Sequence, residues 1–552
     1  MKKYIFSLVC LCCALLPALE GQAAHHEHPE YPELRKSDAN IIGHILDKNT
    51  KEHLPYITIT LKGTTIGTVT DVTGHYFLKN LPEGNFVLEV SSVGYKTVTR
   101  NVTLKKGHTL EEDFEIEEDA IALDGVVVSA NRSETTRRMA PTLVNVVDLK
   151  LFETTNSSTL SQGLNFQPGV RVETNCQNCG FQQVRINGLD GPYTQILIDS
   201  RPVFSALSGV YGLEQIPASM IERVEVMRGG GSALFGSSAI AGTINIITKE
   251  PLRNSGQLSH TITSLGGSSS FDNNTSLNAS LVTDDHRAGL YIFGQNRYRS
   301  GYDYDGDGFT ELPKLKNQTV GFRSYLKTST YSKLTFEYHH MQEFRRGGDM
   351  LDRPPHEAHI AEQLQHSIDG GSLKYDYFSP NEKNRLSVFA SAANTDRDSY
   401  YGPGNDPLKA YGKTTDLTAM GGVQYVHTFD KCLFMPSDLT AGLEYNRDRL
   451  KDNMWGYDRH TDQTVKVYSA FLQNEWKNKH WGILIGGRLD KHNMVDDVIF
   501  SPRANLRFNP TDNINLRLSY SSGFRAPQAF DEDMHIENVG GTVAMIERAK
   551  DL

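Results

Sequence analysis

The stretch Ile221–Lys249, "IERVEVMRGGGSALFGSSAIAGTINIITK", decides how the rest of the chain is read. Its centre invites a nucleotide, because Gly231 and Gly236 have the Gly-x-x-x-x-Gly spacing of a phosphate loop. Such a loop needs Lys directly after the second glycine, to reach the β- and γ-phosphates. Ser237 stands there instead. With Pro217–Met220 ahead of it, the stretch reads as short helix, strand, glycine loop, strand. The question becomes what a tight glycine turn is for when it holds no nucleotide.

The surroundings narrow the answer. Lys2 and Lys3 precede an apolar run from Tyr4 to Leu19, followed by Gly21, Ala23 and Ala24. That order is a secretory signal peptide, too short for a membrane anchor. Of six cysteines, Cys10, Cys12 and Cys13 fall in that signal, leaving Cys176, Cys179 and Cys432. The net charge of −10 offers no basic footprint for nucleic acid. No later stretch is apolar enough for a spanning helix, while Tyr, Phe and Gly are plentiful at 24, 24 and 47. An exported chain of this kind is a soluble β protein or an outer-membrane β-barrel, whose alternating strands escape a hydropathy scan.

Residues 40–120 read as a small immunoglobulin-like β-sandwich. Short runs (Ile57–Leu61, Phe86–Ser91, Thr97–Thr103) alternate with turns at Gly63, Thr73-Gly74 and Pro82-Glu83-Gly84. The segment "GHILDKNTKEHLPYITITLKGTTIGTVTDVTGHYFLKNLPEGNFVLEVSSVGYKT" resembles the carboxypeptidase-regulatory-like domain, which in Bacteroidetes often precedes outer-membrane receptors. No zinc site or nucleophile is read in it. A polar leader, 25–39, carries His25, His26 and His28, either disordered or metal-binding. After the sandwich, "LDGVVVSANR" (Leu123–Arg132) is a lone apolar strand between polar flanks, within a linker spanning 121–135. It reads as a strand that docks on a partner's sheet edge, the alternative being the last strand of the sandwich.

Between 136 and 250 helix and strand mix. Ser157–Leu164 reads as a short helix, and "QQVRINGLDGPYTQILIDSRPVF" as two strands around a glycine turn. Val184-Arg185-Ile186-Asn187-Gly188, Ile196-Leu197-Ile198-Asp199 with Pro202, Ile221–Gly229, Leu234-Phe235-Gly236 and Gly242–Lys249 together resemble the plug domain of TonB-dependent outer-membrane receptors. The resemblance runs over essentially the whole mature chain. It implies a plug marked by Arg185, Asn187, Gly188, Asp199, Glu222, Arg223, Glu225, Arg228, Gly229 and Gly236, with a TonB box at Asp124, Gly125, Val126, Val127, Val128, Ser129 and Ala130. The glycines then permit tight turns in a stopper lodged within a barrel. Arg185, Glu222, Glu225 and Arg228 are expected to meet opposite charges on the barrel wall, since unpaired charge inside is costly. Energy would arrive mechanically, from the TonB–ExbB–ExbD complex pulling the strand near Val126–Val128, so no bound cofactor is required. A surface lipoprotein is a further candidate partner.

From 251 to 552 the chain reads as antiparallel hairpins of a transmembrane barrel. "KLTFEY" places Lys333, Thr335 and Glu337 opposite Leu334, Phe336 and Tyr338, and "NINLRLSY" sets Ile514, Leu516, Leu518 and Tyr520 against Asn513, Asn515, Arg517 and Ser519. Short turns such as Ser379-Pro380-Asn381-Glu382 suit the periplasmic end. The fold class expected is mainly β: sandwich, α+β plug and an incomplete barrel, with about 13 strands against about 22 in plugged transporters. The ending "MIERAKDL" carries no terminal aromatic strand, and an open edge in lipid is prohibitive, so the chain is expected to be a C-terminal truncation.

Ligand-facing residues are less legible. Cys176 and Cys179 in "TNCQNCG" suggest a local disulfide or a metal contact. Asp303, Asp305, Asp307 and Glu311 have calcium-loop spacing, but Lys314 takes the place of the bidentate Glu, so a structural Ca²⁺ and a solvated acidic turn both fit. His339, His340, His356 and His359, with Met341, Met350 and His366 nearby, are candidate ligand contacts around one loop. His356-Glu357 misses the zinc-protease pattern, because position 360 is Ile. Phe524, Arg525, Ala526 and Pro527 resemble the F/YRAP box of haem and siderophore receptors. The expected function is import of a ferric siderophore or haem across the outer membrane, without enzymatic activity. Cobalamin or glycan import and a non-transporting binding or signalling receptor are the alternatives.

Overall fold

The computed structural model describes residues 39–71, 73–92, 95–118, 126–132, 135–176, 180–201, 216–237, 239–403, 410–511, 514–525, 529, 536–539 and 542–545. The signal stretch, the three leader histidines, Asp124, Gly125, Cys179, Ala526 and Pro527 lie outside the described residues, as does the side chain of Cys176.

The N-terminal region is the expected sandwich, made of two four-stranded sheets. One runs His75–Leu81, Ala39–Asp47, Thr109–Glu111, with Phe114–Ile116 also paired to Ala39–Asp47. The other runs Gly67–Val69, Thr58–Leu61, Gly84–Ser91, Val98–Leu104. Period-two alternation sends Ile41, Ile45 and Leu78 inward from the first sheet, to meet Ile59, Leu61, Leu88 and Val90 of the second in one core. The first sheet is mixed, since Thr109–Glu111 and Phe114–Ile116 run parallel to Ala39–Asp47. The sandwich leans on the short turns of the large sheet. The Thr65 amide and hydroxyl both donate to the Thr330 carbonyl, at 3.1 and 3.2 Å, and Arg253 stacks on Tyr56 at 5.0 Å.

The plug is built on a four-stranded mixed sheet in the order Val144–Asp148, Ile221–Arg228, Gly242–Thr248, Thr194–Ile198. Helices Leu149–Thr154 and Leu160–Leu164 belong to the same body, the first capped by Asp148 accepting from the Leu151 amide at 2.9 Å. The two strands read around Gly188 go to different sheets. Phe181–Ile186 pairs with Val170–Cys176, and Thr194–Ile198 lies parallel to Gly242–Thr248. Strand propensity could not show this, because the partners are set by long-range packing.

The third body is one 13-stranded sheet running from Ser255–Ser264 to Ile514–Ser521, each strand antiparallel to the next. Its polarity is inverted relative to a water-soluble protein. Leu258, Leu443, Ile485, Phe500 and Leu518 are exposed, whereas Arg297, Arg345, Arg397 and Arg507 are fully buried. The alternation read in the sequence holds: Phe336, Tyr338, Ile514, Leu516, Leu518 and Tyr520 face outward, and Thr335 faces inward. An apolar outer band and a charged interior fit a barrel wall whose solvent is hydrocarbon. Strands such as Tyr411–Cys432, at 22 residues, exceed the 9–11 or so that cross a bilayer and so project beyond it.

Candidate functional site

The plug's N-terminal segment is folded into the plug. Val126–Val127 pairs with Thr135–Thr136 as a hairpin, separate from both sandwich sheets. Val127 is fully buried among Ala130, Ala140, Leu197, Met227 and Leu234. The segment's polar atoms converge on one carboxylate. Glu225 Oε2 accepts from the amides of Val128 (2.9 Å) and Ser129 (2.8 Å) and from the Ser129 hydroxyl (2.7 Å). Glu225 is itself buried and tolerates that position because Arg223 bonds its other oxygen at 3.0 Å. Asn245 completes the arrangement by donating to the Ser129 hydroxyl oxygen at 3.0 Å. We call this carboxylate the latch.

The next residues seat the plug in the wall. Asn131 donates to Glu475 at 2.8 Å, and the Ala130 carbonyl accepts from Arg503 at 2.6 Å. Arg132 pairs with Glu444, which also takes Arg488 at 2.7 Å, while Arg488 reaches Asp490 at 2.8 Å. Arg132 further stacks between Phe235 and Phe471. A second seat is centred on Arg323, which contacts Asp199, Thr248 and Glu337. Burial pushes the Asp199 carboxyl up, but Arg323 and the Thr248 hydrogen bonds outweigh it and hold the group at about 2. A third joins Lys333 to Glu250 at 2.8 Å. Beside the second lies a cleft between plug and wall, lined by Ile198, Arg201, Met220, Phe293, Phe322 and His339 among others.

The expectation that Arg185, Glu222, Glu225 and Arg228 reach the wall is corrected. Arg185 pairs with Asp190 at 2.7 Å and with Glu173, and Glu222 pairs with Arg223 at 2.5 Å. Glu225 is the latch, and Arg228 packs its guanidinium over Gly169. All these contacts stay inside the plug. The wall is met instead by Arg132, Asp199 and Glu250, and of these only Asp199 was marked by the sequence. The missed partners lie far away in sequence, 83 positions for Glu250 and Lys333 and 312 for Arg132 and Glu444, so no local motif could have found them.

The glycine turn now has its answer. Gly229 and Gly236 have φ of 86° and 80°, backbone that other residues resist. A Cβ on Gly230 would stand 2.4 Å from the Ser521 hydroxyl of the wall, and one on Gly242 would stand 2.3 Å from the Met227 carbonyl. The turn is thin because two strands and the barrel approach it. Asn187 and Gly188, with φ of 53° and 83°, form the second such turn.

The proposed ligand contacts do not assemble into one pocket. His339 and His340 sit in the middle of the strand Ser332–Gly348, and the strand's alternation sends them to opposite faces. His340 pairs with Asp369 at 2.9 Å, His356 with Tyr411 at 2.9 Å and His359 with Asp349 at 2.6 Å. His366 is buried beside Glu343. Gly523 packs on Ile240 and Ser232 of the plug, and Arg525 lies over Tyr193 at 5.9 Å. The described part of the "FRAP" segment therefore touches the plug beside the glycine turn. Asp303, Asp305, Asp307 and Glu311 do come together, their ligand atoms within 4.8 Å of one another. Of the cysteines, Cys432 is free.

A stopper seated by ion pairs in a sheet that is apolar outside and charged inside defines a plugged β-barrel receptor. Comparison with known proteins gives the family. Residues 41–128 match the CarboxypepD_reg-like domain, 136–243 the TonB-dependent receptor plug domain, and 244–544 the TonB-dependent receptor-like β-barrel. The chain belongs to the TonB-dependent receptors, a family of transporters and receptors and not of enzymes. It is similar to the vitamin B12 transporter BtuB of Vibrio vulnificus strain CMCP6, 24% identical over 423 residues, covering 74% of this chain and 64% of that protein. A second BtuB, from strain YJ016, is 33% identical over 174 residues, covering 30% of this chain and 28% of its own length. Among solved structures, the siderophore receptor PirA from Acinetobacter baumannii has a TM-score of 0.61 at 19% identity, covering 71% of this chain and 62% of that one. A mutant of the ferric enterobactin receptor PfeA from Pseudomonas aeruginosa has a TM-score of 0.58 at 19% identity, covering 71% and 63%. The chain thus spans less than two-thirds of the length of each of these relatives.

Proposed function

We propose that the protein works as an outer-membrane importer of a metal chelate, opened when TonB draws on the segment around Val126–Val128. The observation that carries this reading is the latch. A short strand ends on a single buried carboxylate, in a plug where, beside an apolar contact with Tyr291 and Phe293, the wall is met largely by ion pairs and hydrogen bonds. Such contacts exchange for water at little net cost once separated, whereas an apolar interface would resist wetting. Force applied at Val126–Ser129 would first break the bonds at Glu225 and then reach Asn131 and Arg132, which follow directly in the chain.

Two cargo readings have specific support. Ferric siderophore is the reading that the siderophore receptors among the structural neighbours support, haem rests on the resemblance of Phe524–Pro527 alone, and cobalamin is supported by the two BtuB relatives. Growth of a strain lacking the full-length gene, supplied in turn with ferric siderophore, haem or cyanocobalamin as the limiting source, separates them. A defect on an iron source supports the first reading, and a defect on cobalamin alone supports the second. Normal growth on all three overturns both.

A further inference from the structure

The N-terminal sandwich carries a cluster that the transport reading does not use. His44, His53 and His75 come from three adjacent segments of one sheet face. His44 and His75 are direct cross-strand partners, and His53 bridges to Leu46, two residues along the same strand as His44. Their rings stand 5.2, 5.7 and 5.0 Å apart, centre to centre. Imidazoles sharing one tetrahedral ion at Zn–N distances of about 2.0–2.1 Å have centres roughly 5 Å apart.

The outer hydrogen bonds prepare the same nitrogen on two of the rings. His44 Nδ1 lies 3.0 Å from Asp113 Oδ1, an acceptor, so Nδ1 carries the proton and Nε2 keeps its lone pair. Thr73 spends its one hydroxyl proton on Asp71 at 2.6 Å, so the 3.0 Å contact between His75 Nδ1 and that hydroxyl must run from Nδ1–H to the oxygen. His75 Nε2 is likewise left as a lone pair. A carboxylate or hydroxyl behind the far nitrogen is the arrangement that orients metal-ligating histidines. His53 is exposed, and its ring makes no hydrogen bond among the described residues. Gly74, at φ 78°, lets the turn close onto it, since a Cβ there would stand 2.8 Å from the His53 Cβ. The acidic loop at 303–311 is the group whose ligand atoms already lie within 4.8 Å, so the three histidines need ring rotation to converge. His53, solvent-exposed and unbonded, can turn toward the other two, while the 5.7 Å between His44 and His75 must close by movement of rings that Asp113 and Thr73 hold.

We propose that His44, His53 and His75 form a site for a divalent transition-metal ion of the zinc class, with a fourth position open to water or an external ligand. Imidazole suits zinc, copper and nickel, and Zn²⁺ alone is the probe. The intact receptor in detergent, stripped with chelator, is titrated with Zn²⁺ against a chromophoric competitor. The wild type is expected to take up one equivalent more than either His53→Gln or His75→Gln. Asp113→Asn is expected to weaken that equivalent about 10- to 100-fold while keeping the stoichiometry, which a merely structural Asp113 would not do. Metal bound elsewhere, at the acidic loop or the leader, is common to all variants and cancels. His53→Gln removes an exposed ring with no hydrogen bond, so it guards against loss of folding. Equal zinc stoichiometry and affinity in wild type, His53→Gln and His75→Gln would overturn the proposal.

Discussion

Glu225→Gln is the perturbation that addresses the latch most directly. The substitution keeps the shape of the side chain and one acceptor oxygen but removes the charge from a group that receives three hydrogen bonds from Val128 and Ser129. Bonds to a charged acceptor contribute about 1.5–3 kcal/mol each, and charge assistance accounts for roughly half of that. Allowing for non-additivity, the loss is about 2–4 kcal/mol. At about 1.4 kcal/mol per tenfold, local opening of the segment rises roughly thirty- to several-hundred-fold. Burial of Val127 contributes about 1.5–3 kcal/mol and is untouched, so the segment loosens without the plug unfolding. Hydrogen–deuterium exchange by mass spectrometry on the intact receptor reads this out. The amides of Val128 and Ser129 should exchange faster by that factor, while those of Ile221–Arg228 and Gly242–Thr248 keep their protection. Unchanged protection at Val128 and Ser129 would refute the reasoning and assign the segment's hold to Val127 and the hairpin instead.

Val127→Pro removes both a pairing amide and a buried side chain. Uptake should be abolished while cells still bind ligand, and unchanged uptake would reject the docking role of this strand. Glu444→Ala leaves Arg132 without its carboxylate and takes one of two from Arg488. Urea denaturation of the intact receptor should show a loss of about 3–5 kcal/mol in the plug transition, the scale for breaking a buried pair. Asp199 has its carboxyl held at about 2, below the ordinary aspartate value of 3.8, so its ionised form stabilises the seat on Arg323. That contribution is complete above about pH 4 and is lost as the pH falls toward 2. Acid titration of plug release should therefore be flat from neutrality to about pH 4, and Asp199→Asn should reduce the fall below it, the remainder coming from the seats at Glu250 and Glu444.

The parts legible in the sequence are those that local periodicity encodes. "KLTFEY" and "NINLRLSY" announce which residues face outward, because a strand repeats every two positions whatever its partner. The glycines at 229 and 236 mark a turn, because their φ values suit almost no other residue. The latch was half visible. Glu225 stood in the plug motif, but its partners Val128 and Ser129 are 97 and 96 positions away, and a carboxylate on a strand gives no sign of which amides it will hold. The wall contacts of Arg132 were invisible for the same reason, with 312 positions separating it from Glu444. The histidines at 339, 340, 356 and 359 are close in sequence and are not gathered in space. A long antiparallel strand spreads close neighbours over two faces and many ångströms. The three that do meet, His44, His53 and His75, are brought together by register alone.

The sandwich resting at Thr330 sets a mechanical limit of its own. Seven residues, 119–125, separate its last bridged position, Glu118, from Val126. Fully drawn out, the eight steps from Glu118 to Val126 reach no more than about 29 Å. A pull that carries Val126 farther than this from Glu118 has to drag the whole amino-terminal module with it, breaking its footing at Thr65 and Tyr56. The stroke available before a second, stiffer load engages is thus written in the length of one short connector, and lengthening it with glycine and serine would postpone that engagement.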